Sequence, residues 1–288
     1  MTDGENVLLT VRELSKILTT ELENGGIEDA KAEAGFILMH ITGESHPILT
    51  MGDKPLSKYK AEEAFSICKR RTYGEPLQYI LGDWDFFGET FKVGKGVLIP
   101  RPDTETLVEE AVRLRKSYST TKFVDLCSGS GCIAASVARN VKGSEGFALE
   151  KSSEAFGYLC TNLRNLAPWI KPCLLDALLP ETAEQFTGLD LITANPPYLT
   201  AQDMKELQRE VTYEPDLALF GGEDGLVFYR ELTRIWKGSL KSGGYLIFEV
   251  GLGQYKDVMK ILKENGFCRI YFVCDLSGIE RVVIGQVS

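Results

Sequence analysis

A short apolar run, Phe123-Val124-Asp125-Leu126, passes into Cys127-Ser128-Gly129-Ser130-Gly131-Cys132 and then into an apolar stretch over residues 133–141. Strand, glycine loop and helix in that order open a parallel α/β sheet, because a parallel neighbour is reached only through a crossover of a dozen or more residues. The rhythm repeats. Residues 147–149 read as a second strand ending in Glu150, and residues 153–166 as a helix. Cys173-Leu174-Leu175 is a third strand ending in Asp176-Ala177, and residues 189–194 a fourth ending in Asn195. Strands alternating with helical patterns predict an α/β fold with a mostly parallel sheet. Such sheets bind ligands at the C-terminal ends of their strands, so the residues just past each strand are the candidates for a site.

The loop is neither the G-x-G-x-x-G of a dinucleotide fold nor a P-loop, which needs a lysine. Gly129 and Gly131 let the backbone approach a ligand, with Cys127, Ser128 and Ser130 beside them, and nothing demands a pyrophosphate. Asp125 can hold the loop or meet a ligand ammonium. Glu150, about 20 residues past the loop, stands where a ribose diol is gripped. Asp176 and Ala177 flank the place of an adenine ring. Taken singly, each carboxylate reads equally well as a solvated strand end; their recurrence at successive strand ends favours a ligand.

After the fourth strand comes Asn195-Pro196-Pro197-Tyr198. Pro197 biases Pro196 towards extended backbone and offers no N–H of its own. The Pro196 carbonyl is then free to stand beside the Asn195 amide oxygen. Two acceptors side by side match a planar NH2 group, and Tyr198 adds an aromatic face on which a flat amide or base can stack. As punctuation alone, Asn-Pro-Pro is a strand-to-loop break.

Upstream, residues 10–73 read as helices. Thr10 and Glu13 have capping-box spacing, with Leu14, Ile17, Leu18 and Leu22 at helical intervals behind them. A second helix spans residues 28–40. A third runs from Ser57 to Lys69-Arg70-Arg71, a triplet that suits either a partner or the helix C-terminus it occupies. Residues 76–100 space Tyr79, Trp84, Phe86, Phe87 and Phe91 between glycines, which predicts one or two hairpins. Pro100-Arg101-Pro102-Asp103-Thr104-Glu105 precedes a further helix. Asp103 or Thr104 can cap it, but capping gives no reason for Arg101 between two prolines.

Beyond Tyr198, a polar connection of about 26 residues, 199–224, has the length of a lid or binding loop with hinge glycines. A helix over 226–240, a turn at Lys241-Ser242-Gly243-Gly244, a strand over 245–250 and a helix over 254–264 follow. Residues 269–274 and 280–284 close the domain as an antiparallel pair.

The net charge of -9 argues against a protein that holds duplex nucleic acid through its phosphates. No apolar run approaches a membrane span, and residues 1–6 lack the features of a signal peptide. The seven cysteines form no C-x-x-C pair and read as reduced core thiols of a cytoplasmic protein. The only histidines, His40 and His46, lie far upstream, which disfavours a histidine base or a metal site.

The glycine loop, the acids after strands two and three and the antiparallel close suggest the class I, Rossmann-like S-adenosylmethionine-dependent methyltransferase fold with a seven-stranded sheet. Specific stretches carry the resemblance further: GEPLQYILGDWDFFG, VLIPRPDTE, DLCSGSGCIA, NPPYL, YEPDLALFGGEDGL, EVGLGQ and DLSGIERVV, spread from residue 74 to the C-terminus. The chain resembles the PrmC/HemK family, the protein-(glutamine-N5) methyltransferases of peptide release factors. It departs from the family pattern at Cys127, where glycine is more usual, and after Glu150, where KSSEA replaces Asp-x-Ser-Pro-x-Ala. The resemblance implies a helical substrate-recognition domain over 1–75, a β-hairpin linker over 76–100 and a methyltransferase domain over 101–288. It implies S-adenosylmethionine held by Asp125, residues 127–131, Glu150, Asp176, Ala177 and Asn195, with S-adenosylhomocysteine as product. It further implies a glutamine of class I peptide chain release factors, in a Gly-Gly-Gln loop, held by Asn195, Pro196, Pro197 and Tyr198, with Arg101 and Glu105 in the pocket wall. Because NPPY also serves amino-directed nucleic-acid methyltransferases, an adenine N6 substrate stays open, as does a ribosomal-protein glutamine. A cofactor-binding partner protein without activity is the non-enzymatic alternative, and the intact Asn195 speaks against it.

Overall fold

The computed structural model describes residues 8–288; residues 1–6, read above as no signal peptide, lie outside them. The chain divides into two compact units. One takes in the described residues up to Gly82 together with Arg209–Tyr213; the other holds Asp83–Gln208 and Glu214–Ser288.

The first unit is helical: Val11–Asn24, Ala30–Thr42, Pro47–Met51, Lys58–Thr72 and Leu77–Leu81. The Thr10–Glu13 capping box is formed in both directions. Leu14, Leu18, Leu22, Ile37, Leu38 and Ala64 make its core, while Ile17, expected inside, is 36% exposed. The basic triplet resolves residue by residue. Arg70 pairs with Glu75. Arg71 is buried, with Nε 2.7 Å from Glu33 Oε2 and a second nitrogen 2.6 Å from Glu210 Oε2. Leu77–Leu81 is a helix where a hairpin was expected, closed by Gly82 in the left-handed region.

The second unit begins with a hairpin, β1 (Asp83–Phe86) and β2 (Glu89–Lys92), turned at Phe87-Gly88 with positive φ at both residues. The main sheet follows: β3 (Thr121–Leu126), β4 (Ser144–Glu150), β5 (Lys171–Leu174), β6 (Leu189–Ala194), β7 (Leu240–Glu249), β8 (Cys268–Cys274) and β9 (Glu280–Gln286). Their order is β5-β4-β3-β6-β7-β9-β8. The first five in that order are parallel, and β9 pairs antiparallel with both β7 and β8. The seven-stranded, mostly parallel sheet expected from the sequence is present. All six residues of β6 are buried, as a central parallel strand requires. Helices Glu105–Arg115, Cys132–Asn140 and Ser153–Leu166 pack on one face; Val227–Trp236 and Tyr255–Glu264 pack on the other.

The chain leaves β3 towards β4 and β5 on one side, and β6 lies against β3 on the other. That reversal opens a crevice at the strand C-termini, and it places the glycine loop beside Asn195. The expected turn at Lys241-Ser242-Gly243-Gly244 lies inside β7, where Gly243 takes φ +78° and the register against β6 shifts. Glycine permits this bulge without ending the strand. Only Cys68 and Cys132 among the cysteines are buried, and Cys274, on the edge strand β8, is exposed. No helix among the described residues is long and apolar enough to cross a membrane.

Candidate active site

A pocket enclosing roughly 1000 Å³, open solvent at its mouth included, lies at the C-terminal ends of β3 to β6. Cys127, Ser128, Gly129 and Ser130 contribute from the loop after β3, Glu150 from the end of β4, Asp176 and Ala177 from beyond β5, and Asn195 and Pro197 from beyond β6. Arg101 and Thr104 add to the wall, as do Pro215 and Ala218 of the long connection.

Gly129 has φ +53°, and a Cβ placed there would meet only Val97, at 3.9 Å. The backbone is thus bare towards the pocket. Gly131 serves a different need: at φ +82° its added Cβ would lie 2.6 Å from Leu159, so it lets the helix Ser153–Leu166 close on the loop. Cys127 holds φ +57° without being glycine.

Glu150 binds the loop to the sheet. Its Oε2 accepts from the Gly129 N–H at 2.8 Å, and its Oε1 from the Ser152 N–H at 2.7 Å. Each oxygen keeps a lone pair for a ligand hydroxyl. Asp176 accepts from the Leu178 N–H at 2.9 Å and pairs with Lys151 at 2.8 Å.

Asp125 is not in the wall. It lies behind the loop, fully buried, and accepts from the Thr193 hydroxyl at 2.7 Å across the β3–β6 pair. Burial raises its carboxyl to about 7, against the bond from Thr193. Glu105 is also elsewhere: its Oε1 accepts from the Phe87 N–H at 2.8 Å and so holds the β1–β2 turn. Pro196 and Tyr198 lie outside the wall too. Tyr198 packs towards Gly251, where an added Cβ would come within 2.9 Å of its ring. Burial raises its phenol to about 12.

The turn carrying Asn195 is pinned from several directions. Gln254 Nε2 donates to the Tyr198 carbonyl at 3.0 Å. The Leu199 N–H donates to the Leu219 carbonyl at 2.9 Å, and the Gly221 N–H to the Leu199 carbonyl at 2.8 Å. The long connection therefore returns to its own starting point. Buried Glu214, within that connection, accepts from the Ile99 N–H at 3.0 Å and pairs with Arg101. This gives the arginine between two prolines a partner 113 residues away.

Capping explains little of the segment before Glu105. Thr104 makes no side-chain cap bond, and Asp103 pairs with Arg281 at 2.9 Å. Instead Asn195 Nδ2 donates to Thr104 Oγ1 at 3.3 Å. Glu249, at the end of β7, is buried nearby, and burial raises its carboxyl to about 7. Thr104, Glu214 and Glu249 are the residues that sequence reasoning missed. Glu249 had a usable signal, because it is another acid at a strand end.

The chemistry available is that of an oriented amide acceptor beside a ligand pocket. Known proteins resemble the chain as a whole. The family model of the PrmC N-terminal domain matches residues 13–82. The release factor glutamine methyltransferase of Thermodesulfovibrio yellowstonii is 39% identical over 89% of this chain and 92% of its own length. That of Geobacter sulfurreducens is 36% identical over 97% of both. Among solved structures, a T. thermophilus 16S rRNA N2 methyltransferase in complex with AdoMet and guanosine aligns with TM-score 0.51 and 17% identity, over 72% of this chain and 50% of that one. This last likeness is one of fold, the class I methyltransferase sheet.

Proposed function

The chain belongs to the release factor glutamine methyltransferases, and on that footing we propose that it methylates the side-chain amide nitrogen, N5, of the Gly-Gly-Gln glutamine in class I peptide chain release factors, with S-adenosylmethionine as donor. The observation that carries the reading is the Asn195 amide, tied through Nδ2 to Thr104 at a strand end in the pocket wall, which leaves Oδ1 as an acceptor.

The residues present fit the donor. Bare backbone at Gly129 accommodates close approach, Glu150 and Asp176 offer carboxylates to hydroxyl and amino groups, and Ile133, Leu149 and Phe228 supply apolar wall. When bound, S-adenosylmethionine supplies an electrophilic methyl carbon on a sulfonium centre.

The protein's own task is orientation. A glutamine amide nitrogen is a poor nucleophile because its lone pair is delocalised into the carbonyl. Asn195 Oδ1, in the pocket wall, accepts one of its N–H bonds. We assign the other to the Pro196 carbonyl, next along the same turn although Pro196 does not itself line the pocket. Together they fix the direction of the lone pair, a kind of positioning that supplies several kcal/mol. Positive charge grows on the nitrogen during transfer, so these acceptors bind the transition state more strongly than the ground state. The proton leaves afterwards from a strongly acidic N-alkylated amide, and no histidine is needed. Arg101, fixed by Glu214, borders the substrate side. We assign residues 1–75 to release-factor recognition and residues 101–288 to methyl transfer.

Mass spectrometry of a release factor incubated with the protein and S-adenosylmethionine tests this. One added methyl on the Gly-Gly-Gln glutamine is expected, and label entering RNA, DNA or ribosomal protein instead would refute the substrate. Asn195→Ala should lower turnover by about 10²-fold or more while S-adenosylmethionine binding holds.

A further inference from the structure

An amide used as an acceptor has a weakness. Its two ends have nearly the same shape, and a half-turn would replace Oδ1 by two donors facing the N–H groups of the substrate. Something must select the rotamer. Thr104, only 2% exposed, accepts from Asn195 Nδ2. Glu249, also 2% exposed, interacts with the same hydroxyl, and its Oε2 is a buried oxygen without a partner. The parallel pairing of Ala194 with Phe248 brings Glu249 to the same sheet edge as Asn195.

A hydroxyl has one proton, and an ionised carboxylate can only accept. We propose that Glu249 draws the Thr104 proton, so that Thr104 can offer Asn195 only lone pairs and thereby holds Asn195 Oδ1 towards the substrate. The inference rests on the methyl-transfer reading above. Thr104 and Glu249 are positioning residues; neither touches the reacting atoms.

Glu249 is faced by Arg101 and Asp103 from the segment before helix Glu105–Arg115, by Arg281 from β9 and by Tyr198 after β6. Tyr229 from helix Val227–Trp236 and Cys132 from helix Cys132–Asn140 face it too. The Thr104 hydroxyl favours its charged form, while burial, the larger influence, raises the carboxyl to about 7. Below that value Glu249 becomes a donor, the Thr104 proton swings to Asn195, and the reversed amide is selected. Turnover therefore falls as pH drops through this range.

The experiment compares kcat, KM and their pH profiles for the wild type, Thr104→Ser, Thr104→Val and Glu249→Gln, with release factor and S-adenosylmethionine. Thr104→Ser should behave as wild type. Thr104→Val should lose about 10-fold or more in kcat with an unchanged KM for S-adenosylmethionine and a flattened acid limb. Glu249→Gln should show the same pattern. Full kcat in Thr104→Val, or equal loss in Thr104→Ser, overturns the inference. Should Thr104→Val not fold, an acid limb that persists in Glu249→Gln overturns it as well. A wild type that fails to methylate release factor overturns the substrate reading and this inference with it, whereas an active wild type with indifferent variants sinks only the inference.

Discussion

At the scale of single residues, Cys127 and Asp125 are held in unfavourable states. Left-handed backbone costs a non-glycine residue roughly 1–2 kcal/mol, and Cys127 sits at φ +57°. Cys127→Gly should therefore stabilise the protein by about 1 kcal/mol, part of the relief being lost to the greater freedom of glycine in the unfolded chain. A urea melt of the variant showing lower stability would contradict this. Asp125 carries the opposite kind of cost, since burial lifts its carboxyl from 3.8 to about 7. A raised folded-state value favours the protonated form, so its contribution is fully present below pH 4 and lost as pH climbs to about 7. Asp125→Asn keeps an acceptor for Thr193 and removes the charge. It should gain on the order of a few kcal/mol over wild type at pH 8 and little near pH 4, read as the difference between two thermal melts. Both positions were visible in the sequence, Cys127 as a departure from glycine and Asp125 as a strand-end acid. Their energetic states were not, because the φ of one and the burial of the other come from neighbours remote in sequence.

At the scale of elements, the connection after Tyr198 shows what length and composition can reveal and what they cannot. Its span and glycines marked it as a binding loop. Its closure at Leu199, Leu219 and Gly221 was hidden, since those hydrogen bonds belong to backbone and leave no side-chain pattern. The glycine just beyond this connection is tied to its start. Gly225 has φ +70°, and a Cβ there would lie 2.4 Å from the Tyr198 carbonyl. Gly225→Ala should push the Asn195 turn out of place and lower kcat by about 10-fold, with S-adenosylmethionine affinity by titration calorimetry unchanged. A full-rate variant would mean that the turn tolerates the shift. The helix Leu77–Leu81 was hidden for a related reason. Five residues between Pro76 and Gly82 are too few to display helical periodicity, so the glycine spacing is the stronger signal there.

At the scale of the whole molecule, the mostly parallel sheet with its antiparallel close followed from the βα rhythm, whereas the make-up of the helical unit did not. That unit incorporates Arg209–Tyr213, a segment more than 120 residues downstream of Gly82. Arg71 joins the two pieces, buried between Glu33 and Glu210. Arg71→Met should cost about 3 kcal/mol in urea unfolding, because it strands Glu33 in a poorly solvated site. Arg71→Lys should recover part of this, lacking the planar fork. The same arrangement governs how the protein can be recombined with its relatives. A chimera that exchanges only the first 82 residues imports an alien contact surface for the native Arg209–Tyr213, whereas one that carries both segments transplants a matched set. Heredity should respect the same rule, with the two stretches varying together although most of the catalytic half separates them along the gene.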